Sequence, residues 1–141
     1  DTDPEVAAHV TILKERMEAD NLYFFTSWDD FQYKAPVNII LTEVIEHNTP
    51  AQAAALVKKC LSLNFHKLVI TTPDSRFNPY YFEEGEESRR HEDHHFEWTD
   101  KEFQSFIKEC VGALPLTYTF YGIGDKINGV TPTQAVVITR K

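Results

Sequence analysis

The six residues Thr42 to His47, TEVIEH, hold two carboxylates and an imidazole: Glu43, Glu46 and His47. If the backbone turns helical here, these positions stand at i, i+3 and i+4 and share one face. Two oxygens and one nitrogen then converge on a point. Such a mixed donor set suits a hard or borderline divalent ion: Mg, Mn, Fe, Co or Zn. Three ligands from one turn need at least one more from elsewhere. Read without context, the same triplet is an acidic helix start favoured by the helix dipole, followed by a surface histidine.

A second cluster, RRHEDHHFEW (Arg89 to Trp98), carries three of the six histidines, His91, His94 and His95. In extended backbone His94, Phe96 and Trp98 point to one side. His94 can then supply the missing ligand, with Asp93 or Glu97 orienting it from outside. The competing reading is a charged surface loop whose Phe96 and Trp98 dock onto the core. Arg76, Arg89 and Arg90 lie near Phe77, Tyr80, Tyr81 and Phe82, a combination able to hold a phosphate and a stacked base. Ion pairs with Glu83, Glu84, Glu86 and Glu87 are the plainer alternative.

The elements that must carry these residues follow from pattern. VNIIL (Val37 to Leu41) and KLVITTP (Lys67 to Pro73) are near-continuous β-branched runs, as expected for buried parallel strands. TEVIEH and TPDSRFNPYYF sit at their carboxyl ends, where open α/β sheets place their sites. Apolar Val6, Val10, Leu13 and Met17 are spaced for a helix over Pro4 to Ala19. NLYFFTS (Asn21 to Ser27) is short and aromatic and reads as a strand. Thr49 and Pro50 open a helix to Leu63, and Thr99 with Glu102 opens another to Gly112 as a capping box. LTYTFYGIG and TQAVVITRK flank DKINGVTP with no helix between them, which makes an antiparallel hairpin. The order α-β-β-α-β-α-β-β predicts an α/β three-layer sandwich with an antiparallel end, in one domain over residues 1–141.

Composition narrows the function. The net charge is −8, from 14 Lys and Arg against 22 Asp and Glu, which argues against tight non-specific coating of nucleic acid. No apolar run reaches membrane-spanning length, and the acidic start DTDPEVAAHV is no signal peptide. Cys60 and Cys110 are the only cysteines; they read as buried helix residues in a reducing, cytoplasmic setting. All five glycines lie at or after position 85. Neither a P-loop nor a dinucleotide fingerprint is therefore present, and a nucleophile elbow is also missing.

EVIEH followed by RHEDHHFEWTDKEFQ resembles the small-RNA 3′-terminal ribose 2′-O-methyltransferases. TPDSRFN and the closing PTQAVV are also similar, the latter most of all to a bacterial RNA-repair branch. The resemblance runs from about Asp1 to Val137. It implies a Rossmann-like fold of the class I S-adenosylmethionine-dependent methyltransferase type, with a mostly parallel sheet and a C-terminal antiparallel hairpin. It implies Glu43, Glu46, His47 and His94 as ligands of a divalent metal, Mg or Mn with Co or Fe as further candidates. That metal would hold the 2′ and 3′ hydroxyls of a terminal ribose and activate the 2′ oxygen. His47 and His91 are both candidates for the base.

The cofactor half departs from the family pattern. The Gly-rich first strand turn is missing, so the fold is expected to be N-terminally truncated and to bind S-adenosylmethionine weakly or not at all by itself. Asp1, Ser27, Trp28 and Thr42 match the remaining cofactor positions. Arg76, Arg90 and Phe96 are the candidate RNA contacts. The implied partners are an RNA 3′ end and an RNA-repair ligase or kinase, or the missing N-terminal segment. Two other readings stand beside this one: a non-catalytic module that keeps the fold, and a metal-dependent hydrolase using the same carboxylates and imidazoles.

Overall fold

The computed structural model describes residues 4–25, 27–31, 33, 35–83 and 89–140. The chain falls into two compact units, Asp1–Lys34 and Ala35–Lys141.

In the first unit, helix α1 spans Pro4–Arg16 and buries none of its residues. A 3-10 helix follows at Trp28–Asp30, capped by the Ser27 hydroxyl. The strand expected over Asn21 to Ser27 is not formed: Leu22 to Phe25 lie outside regular structure. An aromatic run becomes a strand only when a neighbour pairs its N–H and C=O groups. No ladder among the described residues reaches this segment. Its rings satisfy one another locally instead, Phe25 edge-on to Phe31 at 5.6 Å.

The second unit contains β1 (Val37–Thr42), α2 (Pro50–Ser62), β2 (Phe65–Pro73), α3 (Asp100–Val111), β3 (Leu116–Ile123) and β4 (Thr133–Arg140). The strands form one sheet in the order β1-β2-β4-β3. β1 and β2 are parallel, with Thr42 beside Thr71. The β2–β4 and β3–β4 pairings are antiparallel, so the expected hairpin is present. The described strands thus form a mixed sheet, with one parallel and two antiparallel pairings.

One face of the sheet makes the core. Leu41, Ile70, Val136 and Phe120 are cross-strand neighbours, as are Ile39, Leu68, Ile138 and Tyr118. Ala53, Val57, Cys60 and Leu61 of α2 and Phe103, Ile107, Cys110 and Val111 of α3 pack onto them. Each large side chain fully withdrawn from water there contributes roughly 1.5–3 kcal/mol. On the opposite face Ile40 is 67% exposed. Both helices start as their sequences predict. Thr49 with Gln52 and Thr99 with Glu102 form reciprocal capping boxes, which satisfy first-turn N–H groups that lack helical partners. No helix among the described residues is long and apolar enough to cross a membrane.

Candidate metal centre

The parallel register sets the carboxyl ends of β1 and β2 side by side, and the site grows from that edge. After Thr42 the backbone turns sharply: Glu43 has φ +51°, a left-handed conformation that L-residues seldom adopt. Hydrogen bonds with Thr71 accompany the turn. The Glu43 N–H donates to the Thr71 carbonyl at 3.2 Å, and the Thr71 hydroxyl donates to Glu43 Oε1 at 2.7 Å. A 3-10 helix over Ile45–His47 follows, in place of the expected α-helical turn. Ile45 is fully buried and anchors it.

This local geometry changes which side chains converge. Ligand atoms of Glu46, His47 and His94 all lie within 4.8 Å of one another. Glu43 stands next to this group but directs its carboxylate to Thr71. The α-helical spacing that would have put residues 43, 46 and 47 on one face is absent because the turn is left-handed at 43 and 3-10 thereafter.

Glu46 is wholly buried. Its Oε2 accepts from the Thr72 hydroxyl at 3.0 Å, while Oε1 has no hydrogen-bond partner among the described residues. Burial raises the pKa of its carboxyl, and the Glu43 charge adds to that; its own backbone N–H and Thr72 only partly offset the rise. A buried, half-unpaired carboxylate is costly unless a cation meets it. The orphaned oxygen beside two imidazoles therefore fits a divalent metal: one hard oxygen and two borderline nitrogens.

His94 is buried by the chain that leads into α3. The His95 N–H donates to the Glu46 carbonyl at 2.8 Å, and Asp74 pairs with Trp98 in a parallel bridge. His94 Nδ1 lies 2.6 Å from Glu97 Oε1, which leaves Nε2 as the nitrogen free to coordinate. Of the two orienting carboxylates suggested by sequence, Glu97 is the one in contact with His94, while Asp93 lies near His91. Burial works against the Glu97 charge, but bonds from His94, the Arg90 N–H and Asn78 outweigh it and hold its pKa low.

His47 is exposed and its ring meets that of His94 edge-on at 4.7 Å. Partial desolvation lowers its pKa, and His94 and His91 lower it further, so it is neutral near pH 7 and able to accept a proton. The exposed His91 ring is 6.0 Å from that of His47.

The other sequence candidates are dispersed. Arg76 pairs with Asp74 at 2.6 Å and Asp100 at 3.1 Å. Arg90 donates to Asn78 and to the Asp74 carbonyl. Phe96 is buried in the core and stacked on Trp98 at 3.8 Å, so alternation along His94, Phe96 and Trp98 serves docking. Thr42 is exposed at the end of β1. In the first unit, Ser27 caps a 3-10 helix and Trp28 is exposed. Asp1 lies outside the described residues. Sequence reasoning missed Thr71, Thr72 and Asn78, whose hydroxyls and amide hold the carboxylates. Their signal was position alone, in TTPDSRFN at the end of a buried strand.

No family model matches the chain. Solved structures do. A chain of the Pnkp1/Rnl/Hen1 RNA repair complex is 66% identical with a TM-score of 0.87; the match covers 99% of this chain and 30% of that one. The methyltransferase domain of bacterial CtHen1-C is 25% identical with a TM-score of 0.72, covering 99% of this chain and 74% of that one. The small RNA methyltransferase HEN1 is 27% identical with a TM-score of 0.68, covering 75% of this chain and 14% of that one. The resemblance drawn from the motifs is thus found in three-dimensional structures, together with the methyltransferase fold. The chain spans 30% of the length of the first solved chain it matches.

Proposed function

We propose that this chain, similar over its whole length to Hen1 methyltransferases, forms the metal-binding and RNA-end-binding part of an enzyme that methylates the 2′-hydroxyl of an RNA 3′-terminal ribose. The observation that carries the reading is the convergence of Glu46, His47 and His94, with the buried Glu46 Oε1 lacking any other partner.

In this reading Glu46, His47 and His94 hold a divalent ion, Mg or Mn, and Glu43 joins them if it releases Thr71. When bound, such an ion lowers the pKa of a hydroxyl that it touches and fixes it in place. The protein's own part is to orient the ribose and to take a proton. His91, whose ring lies 6.0 Å from that of His47, is the candidate for that base when His47 is on the metal; His47 can act as base only where its imidazole is not a ligand. Arg76, Tyr80 and Tyr81 lie on and just after the 3-10 helix Ser75–Tyr80 that follows β2, and in this reading the guanidinium takes a phosphate and the exposed rings an unstacked base. The methyl donor is S-adenosylmethionine, as expected for a methyltransferase of this fold. The likeness to a chain of an RNA repair complex supports an RNA-repair partner for the whole protein.

The test uses the chain with Mn2+ and fluorescent RNA oligonucleotides that differ only at the 3′ end. Binding should depend on Mn2+ and favour a 2′,3′-diol over a 2′-deoxy end at least tenfold. Equal affinity for both ends, or binding indifferent to Mn2+, overturns the reading.

A further inference from the structure

The Glu97 carboxylate is 2% exposed and is bound on both oxygens. Oε1 faces His94 Nδ1 at 2.6 Å and accepts from the Arg90 N–H at 2.7 Å. Oε2 accepts from Asn78 Nδ2. Asn78 is 3% exposed, and its Oδ1 accepts from Arg90 Nε at 2.9 Å. Arg90 Nη2 donates to the Asp74 carbonyl at the end of β2, at 2.8 Å, and its guanidinium lies over the Tyr81 ring at 5.0 Å.

We propose that Asn78 and Arg90 are positioning residues for the metal centre: they clamp Glu97 and thereby fix which nitrogen of His94 faces Glu46 and His47. The inference rests on the metal reading above and adds residues that its ligand set does not contain.

The polarity of the chain of bonds makes the case. Asn78 sits between a guanidinium and a carboxylate. Only one amide orientation satisfies both, with Oδ1 toward Arg90 and Nδ2 toward Glu97. An ionised carboxylate accepts and does not donate. A neutral imidazole facing it must therefore carry its proton on Nδ1, which leaves the Nε2 lone pair for a metal. The clamp also uses three donor nitrogens of Arg90 inward: the backbone N–H, Nε and Nη2. In this arrangement Arg90 serves Glu97 in place of the RNA phosphate that its sequence context suggests. Lysine cannot substitute, since one ammonium reproduces neither the fork nor the stack on Tyr81.

The experiment measures Mn2+ affinity of the 141-residue chain by calorimetry and the His94 tautomer of the metal-free chain by two-bond 1H–15N correlation. Asn78→Ala and Arg90→Lys are compared with Val57→Ala, a core variant on α2 that takes no part in the clamp's hydrogen bonds. The two clamp variants should bind Mn2+ about 10–100-fold more weakly and show His94 as a mixture of tautomers. Val57→Ala should lower the melting temperature while leaving both readouts unchanged. If Asn78→Ala does not fold, Arg90→Lys decides alone. Wild-type Mn2+ affinity with a single His94 tautomer in a folded clamp variant overturns this inference and leaves the metal reading standing. Failure of the unmodified chain to bind Mn2+ removes both.

Discussion

The His95 N–H donates to the Glu46 carbonyl at 2.8 Å, a single backbone bond that joins two motifs far apart in sequence. It brings the loop before α3 against the 3-10 helix after β1. His94, the preceding residue, is thereby buried with its ring against His47, and the buried Glu46 carboxylate completes the group. The centre is an assembly of two strand ends and one loop, and each of its parts can be tested.

Metal binding should stabilise the chain. A ligand that binds only the folded state at one hundred times its dissociation constant adds about 2.7 kcal/mol. Thermal melts with Mn2+ should show this shift, and chelation should reverse it. Glu46→Gln should abolish the shift without lowering the melting temperature of the metal-free chain. Burial already disfavours the Glu46 charge, and Oε1 has no partner to lose. A metal-dependent shift that survives Glu46→Gln would remove Glu46 from the ligand set.

Much of this was legible from residues alone, for identifiable reasons. The capped helices follow from Thr49, Pro50, Thr99 and Glu102, because capping is local chemistry. The strands around Ile39 and Ile70 follow from β-branched runs. Among three clustered histidines, His94 was singled out as a candidate by its alternation with Phe96 and Trp98 and by the family resemblance. The turn at Glu43 was not legible: its left-handed backbone accompanies bonds exchanged with Thr71, a residue on the neighbouring strand. The segment around Tyr23 and Phe24 has strand-like composition, but composition cannot provide the pairing partner. Arg90 and Phe96 read as surface contacts for RNA because sequence does not reveal that a side chain turns inward.

The hairpin contains a position with no room for a side chain. A Cβ at Gly122 would stand 2.3 Å from Thr131 Oγ1 and 2.9 Å from its Cγ2. Thr131 is buried and its hydroxyl donates to the Thr133 carbonyl, so it cannot swing aside freely. Gly122→Ala should cost about 1–3 kcal/mol by overpacking. Adding Thr131→Ala should recover part of that loss, which a double-mutant cycle in urea would measure.

Cys60 and Cys110 should behave as inert thiols. Burial pushes both up to about 11. The thiolate is the reactive form, so at pH 8 its population falls on the order of 100-fold below that of an ordinary cysteine. Alkylation by iodoacetamide should be slow in the native chain and rapid in urea. The raised thiol pKa values also favour the folded state below the ordinary thiol range, and that contribution is lost as pH rises from about 9 toward 11. Native alkylation as fast as that of a free thiol would show that α2 and α3 open readily.

Phe96 offers a choice between a role in the core and a role on RNA. Its ring is 9% exposed and stacks on Trp98, which in turn meets Phe106 of α3 at 4.6 Å. A base cannot stack on a ring whose faces are covered. Phe96→Ala should therefore act through the fold, costing about 3–5 kcal/mol as a buried aromatic truncation. Phe96→Leu restores much of the volume and should recover most of the stability. RNA affinity of the folded Phe96→Leu chain should match that of the unmodified chain. A Phe96→Leu chain with native stability and reduced RNA affinity would return Phe96 to the RNA surface.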